Sequence, residues 1–243
     1  MTCDYAMYTY NATLQQFMSP RLWPATYPSR LTPSECDFWN ASAVSSVHGI
    51  VVSAVGFYVL RTQDALYTEG YTYETPESLL CVNIVVGYLL SDLYLGITHL
   101  DWPGTAMMLF HHILGIFSMI YTSVYHFGTG MIVCIVVLEA TSPFVNFRWF
   151  FEKNGLKTSS PTLYLVNGAM ITVSWFLLRI CFYGWMIFNY VFRQWSDLMS
   201  YDNHLHTFVV VFGMAGGYVL QVLWFKKIFA GMMKALSASK KKV

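Results

Sequence analysis

The amino-acid sequence predicts an all-α protein that crosses a membrane several times, and three observations support this fold class. Only 11% of the residues are charged and 56% are hydrophobic, whereas a soluble domain carries about 25% charged residues. The mean hydropathy is +0.45. Several long stretches contain no charge at all, and about 20 apolar residues are enough for a helix to cross a bilayer. The chain is therefore expected to form a bundle of about six transmembrane helices.

We place the six spans by their apolar stretches, at residues 43–60, 79–100, 105–127, 130–147, 163–192 and 207–230. The first and fourth are short for a full crossing, and the fifth is long enough to tilt. The spans divide the chain into three predicted regions. These are a cytosolic N-terminal segment over residues 1–42, a transmembrane domain over 43–232 and a basic tail over 233–243.

Lysine and arginine predict the orientation, because these residues are enriched in cytoplasmic loops. Six spans place both termini on one side, which then holds all the Lys and Arg residues except Arg61, Arg193 and the intramembrane Arg179. Both termini are therefore predicted to be cytosolic. The final residues, 240–243, match a dilysine retrieval signal. A basic tail lying on anionic lipid is the alternative interpretation.

Composition and motif spacing also exclude some classes of partner. The net charge is +1, and no basic patch interleaves with aromatic residues as a nucleic-acid groove requires. The five cysteines form neither a CxxC pair nor a Cys/His metal spacing. We expect membrane lipids as partners, no nucleic acid, no metal and no resident cofactor.

The residues able to do chemistry lie inside the apolar spans. They are Ser91, Asp92 and His99 in the second span, His111 and His112 in the third, Glu139, Ser142, Pro143 and Asn146 in the fourth, and Arg179 in the fifth. Asp92 and His99 are seven residues apart and share a helix face, as do the four residues of the fourth span. Pro143 cannot donate to the Glu139 carbonyl, so a kink is predicted there.

These charges predict a shared polar interior. A charge at the bilayer centre costs at least about 2.5–3.5 kcal/mol, so Arg179 is expected to pair with Glu139 or Asp92 and the histidines to join them. Neighbouring His111 and His112 point about 100° apart, so at most one should aim squarely at the cavity. The set is interpreted either as an ion-pair network that fixes helix register or as a binding or active site.

Two further features have structural interpretations. His48 in the first span is expected to be a core histidine with its hydrogen bonds satisfied. In the sixth span, Gly213 and Gly217 have the GxxxG spacing that lets helices approach closely. We expect packing within the bundle, with a homodimer contact as the alternative.

At these same residues the sequence resembles the TLC-domain family, which includes ceramide synthases, the translocating-chain-associating membrane protein and several lipid-homeostasis proteins. The resemblance covers about residues 45–235 and points to the small single-domain branch. The matching residues are Ser91-Asp92, His111-His112, the block from Glu139 to Phe150, Arg179, and Trp224-Phe225 with Gly231.

The resemblance implies a barrel of about six helices around a central, lipid-accessible cavity, in the endoplasmic reticulum or a related endomembrane. In ceramide synthases the His pair belongs to an acyl-CoA-dependent N-acylation site, so His111 and His112 would be catalytic in an enzyme of this kind. Those enzymes also carry a His-Asp pair with a further Asp three residues on. This chain has Leu138-Glu139 with Ser142 instead, and it lacks the homeobox-like insert, which counts against ceramide synthesis.

Four functions are compatible with the sequence. The first is a lipid-homeostasis protein that binds, senses or moves a lipid in the bilayer. The second is an acyltransferase that uses acyl-CoA as substrate and His111 or His112 as base or acyl acceptor. A proton-coupled transporter is the third, although no inverted repeat is visible. The fourth is a structural subunit of a larger assembly with a membrane-protein partner.

Overall fold

The computed structural model describes residues 26, 29–69 and 71–240, and within them the regular structure is entirely helical. Six helices are long and apolar enough to cross a membrane, as the composition predicts. They are Pro33–Thr62, Pro76–Thr98, Thr105–Tyr125, Thr129–Lys153, Pro161–Arg193 and His204–Ser237. Most of the predicted N-terminal segment and the last three residues of the predicted retrieval signal lie outside the described residues.

The first and fourth helices are longer than the spans predicted for them, at 30 and 25 residues. Thr32 caps the first helix: its hydroxyl accepts from the Glu35 backbone, the Glu35 carboxylate accepts in return from Thr32, and Pro33 occupies the first helical position. An apolar stretch marks only the part of a helix that matches the hydrocarbon. The polar turns that extend the first helix from residue 43 towards its N-terminus therefore cannot be recognised from apolar composition.

The fourth span is the central helix of the bundle. Of its most apolar stretch, 56% is buried inside the protein, whereas the corresponding share is 22–33% in the other five spans. It changes geometry where Pro143 removes a backbone donor: Leu138–Thr141 forms a 3-10 turn in which the Ser142 N–H donates to the Glu139 carbonyl. A Cβ on Gly49 would lie 2.7 Å from that carbonyl oxygen. The disruption expected from the proline thus takes the form of a tightened turn against the first span.

The fifth span contains two π-helical segments, Trp175–Phe182 and Phe188–Arg193, within otherwise α-helical structure. A π segment shifts the register of the residues that follow it, and such segments often occur at functional sites. Arg179 lies in the middle of the first one. Its side chain therefore emerges where the helix is locally widened.

A loop closes the end of the bundle that is opposite the C-terminal end of the sixth span. This loop, which we call the end loop, comprises residues 63–69 and 71–75 and carries the short helix Ala65–Thr68. Leu66 and Tyr71 are 0% and 1% exposed. The Tyr71 hydroxyl donates to the Tyr190 carbonyl, and the Tyr190 hydroxyl donates to the Leu66 carbonyl over 2.9 Å. Burial raises the pKa of Tyr71, so its hydroxyl keeps the proton that it donates.

The GxxxG spacing of the sixth span is used inside the bundle. A Cβ on Gly217 would lie 2.3 Å from the Tyr183 hydroxyl, and one on Gly213 would lie 3.8 Å from Ser118 Oγ. Both glycines therefore face neighbouring helices of the same chain, in agreement with the packing interpretation.

Candidate functional site

All six spans contribute to one central cavity of about 440 Å³, a volume in the range of small-molecule sites. Its lining includes one or more residues from each span in turn: Ser45, Tyr88, His111, Glu139, Arg179 and Trp224. The polar side chains predicted to converge from the third, fourth and fifth spans do so. They form the inner end of the cavity, which we call the floor.

Arg179 organises the floor. Its Nη2 lies 3.3 Å from Glu139 Oε1, its Nε donates to Thr141 Oγ1 over 2.7 Å, and its Nη1 donates to Gln221 Oε1 over 3.3 Å. The guanidinium carbon also lies 4.6 Å from the centre of the Trp175 ring. Arg179 is only 5% exposed. The predicted ion pair is therefore present, and neutral acceptors from two spans complete it.

The fourth span presents its polar face to the cavity. Glu139, Ser142 and Asn146 all border it. Ser142 donates to Glu139 Oε2 over 2.7 Å, so the carboxylate is held by Arg179 on one side and by a hydroxyl on the other. Asn146 donates to the Ser42 carbonyl over 3.0 Å and so joins the fourth span to the first. Pro143 is buried and does not border the cavity.

The two adjacent histidines border the same cavity but have different neighbours. His112 is 5% exposed, and its Nε2 lies 3.4 Å from Asp92 Oδ2 on the second span. His111 packs edge-on against Trp224, with ring centres 5.4 Å apart. His112 is therefore oriented by a carboxylate, whereas His111 is set among the floor residues.

The second span contributes less to the cavity than its sequence predicts. Asp92 lies behind His112 instead of in the lining, and the Ser91 hydroxyl donates to the Gly87 carbonyl of its own helix over 3.1 Å. His99 lies away from the cavity, because the helix ends at Thr98 and His99 is its C-cap. Its Nε2 is 3.3 Å from Asp37. A seven-residue spacing places two residues on one face only while the helix continues.

Several residues around the cavity carried no clear signal in the sequence. Thr141 and Gln221 are neutral and lie in apolar stretches, yet they are the partners of Arg179. His48 differs from its expected role, because its buried Nε2 has no hydrogen-bond partner in the described part of the chain. It stacks instead on Tyr88, a cavity residue, with ring centres 3.7 Å apart.

The other end of the cavity, which we call the mouth, is cationic and more open. Arg148, Lys227 and Gly231 border it, and the last two are exposed. Trp224, which packs against His111, and Gly231 at the mouth are seven residues apart on one helix, which corresponds to about 10 Å. Apolar and aromatic side chains form the wall between floor and mouth, namely Met108, Val145, Ile171, Trp175, Trp224 and Ile228. The cavity is thus an apolar channel with a polar floor and a basic mouth.

A smaller cavity of about 60 Å³ lies on the other side of the floor, where Ser118, Tyr183 and Gln221 border it. His111, Glu139 and Arg179 border both cavities. Among the residues that the structure describes, no group of three or more His, Cys, Asp or Glu side chains is placed to share a metal ion.

Comparison with known proteins agrees with this architecture. A TLC domain matches residues 38–230. The chain is 35% identical to TLC domain-containing protein 4-B of Xenopus laevis, over 58% of this chain and 54% of that protein. It is 30% identical to human TLC domain-containing protein 4, over 82% of this chain and 75% of the human protein. The zebrafish protein TLC domain-containing protein 4-B is 25% identical over 87% of this chain and 80% of its own length. The chain belongs to the TLC-domain family.

Proposed function

We propose that this protein binds a membrane lipid in its central cavity and serves lipid homeostasis in the endoplasmic reticulum or a related endomembrane. The observation that carries the proposal is the cavity itself, about 440 Å³ in volume and bordered by all six spans. The bias of Lys and Arg residues supports an orientation in which both termini and the mouth face the cytosol. Membrane lipids are the abundant molecules that combine a long apolar part with a polar group.

The contacts among the polar groups of the floor account for why these groups are buried, but they do not account for the presence of the cavity. Arg179 is paired with Glu139 and donates hydrogen bonds to Thr141 and Gln221. A network that only fixed helix register would be equally well served by packed surroundings. Interiors without a ligand are close-packed. The apolar channel is large and leads to a polar cluster whose hydrogen bonds are already made. A bound ligand therefore explains it better than helix packing does.

Filling the mouth should remove the bound lipid without altering the floor. Gly231 borders the cavity, and a Cβ placed there would meet no atom within 4 Å, so the side chain of Gly231→Phe can enter the channel. Gly216 on the same helix also has open space and borders neither cavity, which makes Gly216→Phe the matched control. We expect purified Gly231→Phe to retain much less lipid than the wild type, and Gly216→Phe to retain the same amount. Mass spectrometry of lipids that co-purify in detergent measures this.

Equal lipid retention by the wild type and Gly231→Phe, with both proteins folded, would contradict binding in this cavity. Equal losses in both phenylalanine variants would also contradict it, since the effect would then not depend on the cavity.

Acyl transfer is the second candidate function, and the pair formed by His112 and Asp92 favours it. A carboxylate 3.4 Å from an imidazole can hold the ring in one orientation and stabilise its protonated form, as in other acid–base pairs. The His112 ring borders an apolar cavity that could exclude water from an acyl-CoA thioester. A single imidazole of this kind could serve as base for a hydroxyl or amine acceptor.

We expect the purified protein not to be an efficient ceramide synthase, because Leu138-Glu139 and Ser142 stand where the second His and its Asp residues would be needed. Detergent-purified protein is incubated with labelled acyl-CoA and a panel of amine and hydroxyl lipids. His111→Ala and His112→Ala are assayed in parallel. Rapid N-acylation of a sphingoid base that either substitution abolishes would refute this expectation. Turnover on another acceptor with the same histidine dependence would establish acyl transfer of a different specificity.

A further inference from the structure

The mouth of the cavity carries two cations that the floor network does not use. Lys227 is exposed, borders the cavity and has no carboxylate within ion-pair distance in the described part of the chain. Its Nζ lies 3.7 Å from Met107 Sδ, and a thioether is only a weak acceptor. Among the described residues, the ammonium therefore has no strong partner.

Arg148 is the second cation, and it is held in place by other contacts. Its Nη1 donates to the Tyr164 carbonyl over 3.0 Å, and its guanidinium carbon lies 3.4 Å from the centre of the Tyr164 ring. Glu152 is 3.9 Å from Nε and offsets part of the charge. The Tyr164 side chain is a further hydrogen-bond partner of Arg148. The guanidinium is thus held against Tyr164 at the cavity wall, and Glu152 offsets only part of its positive charge.

Gly168 keeps this guanidinium in contact with the cavity. A Cβ at Gly168 would lie 3.0 Å from Arg148 Nη1 and 3.5 Å from Met232 Sδ. All three residues border the cavity. Because residue 168 has no side chain, Arg148 from the fourth span can reach the junction of the fifth and sixth spans, where Lys227 also lies on the cavity wall.

We propose that Arg148 and Lys227 form a binding site for a phosphate group at the mouth of the cavity, and that this site selects lipids with an anionic phosphate headgroup. The inference deepens the proposed lipid binding and rests on it. A guanidinium fork matches the oxygens of a phosphate, and an ammonium adds a second charge from another helix. Basic pockets between transmembrane helices on the cytoplasmic side are suited to anionic headgroups. The apolar wall beyond the two cations then receives the hydrocarbon of the same molecule.

The test is a competition between lipids with the same chains and different headgroups. Purified protein is incubated with an equimolar mixture of dioleoyl phosphatidic acid, dioleoyl phosphatidylcholine and dioleoylglycerol, and the retained lipids are counted by native mass spectrometry. We expect the wild type to be enriched in phosphatidic acid. Lys227→Gln and Arg148→Gln should each reduce that enrichment about fivefold. Lys226→Gln, which removes an adjacent exposed lysine outside the cavity lining, should leave it unchanged.

The variants separate this inference from the proposed function. If Gly231→Phe loses lipid but Lys227→Gln keeps the wild-type headgroup preference, the cavity binds lipid and the phosphate site is refuted. If Gly231→Phe keeps its lipid, the proposed function itself fails. A loss of enrichment in Lys226→Gln equal to that in Lys227→Gln would reduce the effect to general surface charge and overturn the inference. If Arg148→Gln does not fold, Arg148→Lys takes its place. This variant retains the charge but lacks the guanidinium, so it tests whether the guanidinium itself is needed for the headgroup preference.

Competition with inorganic phosphate tests whether the site binds the phosphate of a lipid headgroup or a free phosphate ion. We expect an excess of inorganic phosphate to displace little phosphatidic acid, because the apolar wall contributes to lipid binding. Displacement as complete as that by soluble short-chain phosphatidic acid would mean that the site takes free phosphate, and the assignment to a lipid headgroup would be wrong.

Discussion

Replacing Arg179 with methionine is expected to lower the melting temperature of the purified protein by on the order of 10 °C. Arg179 is 5% exposed and is the only cation within ion-pair distance of Glu139 in the described chain. Without it, the Glu139 carboxylate remains inside the bundle with the Ser142 hydroxyl as a partner. Removing one member of a buried ion pair costs roughly 3–5 kcal/mol, because the other charge is left uncompensated.

A double variant without either charge shows whether the loss of stability in Arg179→Met comes from the broken ion pair or from lost packing. Glu139→Gln combined with Arg179→Met removes both charges, so its melting temperature should lie above that of Arg179→Met alone. Arg61→Met serves as control, since Arg61 is an exposed cation at the end of the first span. A double variant less stable than Arg179→Met would indicate that Arg179 acts mainly through Thr141, Gln221 and Trp175. A melting temperature for Arg179→Met equal to that of Arg61→Met would contradict the expectation.

The sequence predicted the inner end of the cavity because an unpaired charge inside a membrane span has a high free energy. Such a charge must face the protein interior and find a partner. Glu139 and Arg179 had to meet a partner, and they meet each other. The choice between Glu139 and Asp92 could not be predicted, since it depends on how deep each helix places its residue. In the structure Asp92 is next to His112, and this leaves Glu139 for Arg179.

Features that depend on local helix geometry were not accessible in the same way. The π-helical segment around Arg179 has no marker in the apolar pattern, and the position of His99 depended on where the second helix ends. The cationic mouth was missed for another reason. Arg148 and Lys227 were interpreted as loop charges that set orientation, whereas both also border the cavity.

The burial of the end loop is a further feature that the sequence alone does not reveal. Asp64, Glu69 and Glu74 lie among its residues, but Leu66 and Tyr71 are buried in the end of the bundle. Their contacts are long-range, with the fourth and fifth spans, and no local pattern specifies them. This loop and the cationic mouth lie at opposite ends, so the structure has one closed end and one basic, open end.

Replacing Gly130 with alanine should break the closed end and destabilise the whole bundle. Gly130 is in the first turn of the fourth span, and a Cβ there would lie 1.8 Å from the Leu66 carbonyl oxygen and 3.0 Å from the Tyr190 hydroxyl. The nearer contact is with backbone, so rotating a side chain cannot relieve it. Alanine would otherwise favour a helix by up to about 1 kcal/mol, so a loss of stability can be assigned to the contact with the end loop.

We expect Gly130→Ala to melt at a lower temperature than the wild type and to be cleaved faster by protease within the end loop, because the loop must leave its site to make room. Overpacking of this kind costs about 1–3 kcal/mol or more. Gly216→Ala is the matched control, since a Cβ at Gly216 meets open space and should leave both measurements unchanged or slightly improved. Unaltered protease resistance together with a wild-type melting temperature for Gly130→Ala would mean that the loop is not seated against the fourth span. If only the loop becomes sensitive while the melting temperature stays the same, the loop is a dispensable lid. Loss of both together would make it part of the cooperative core that holds the six spans around the cavity.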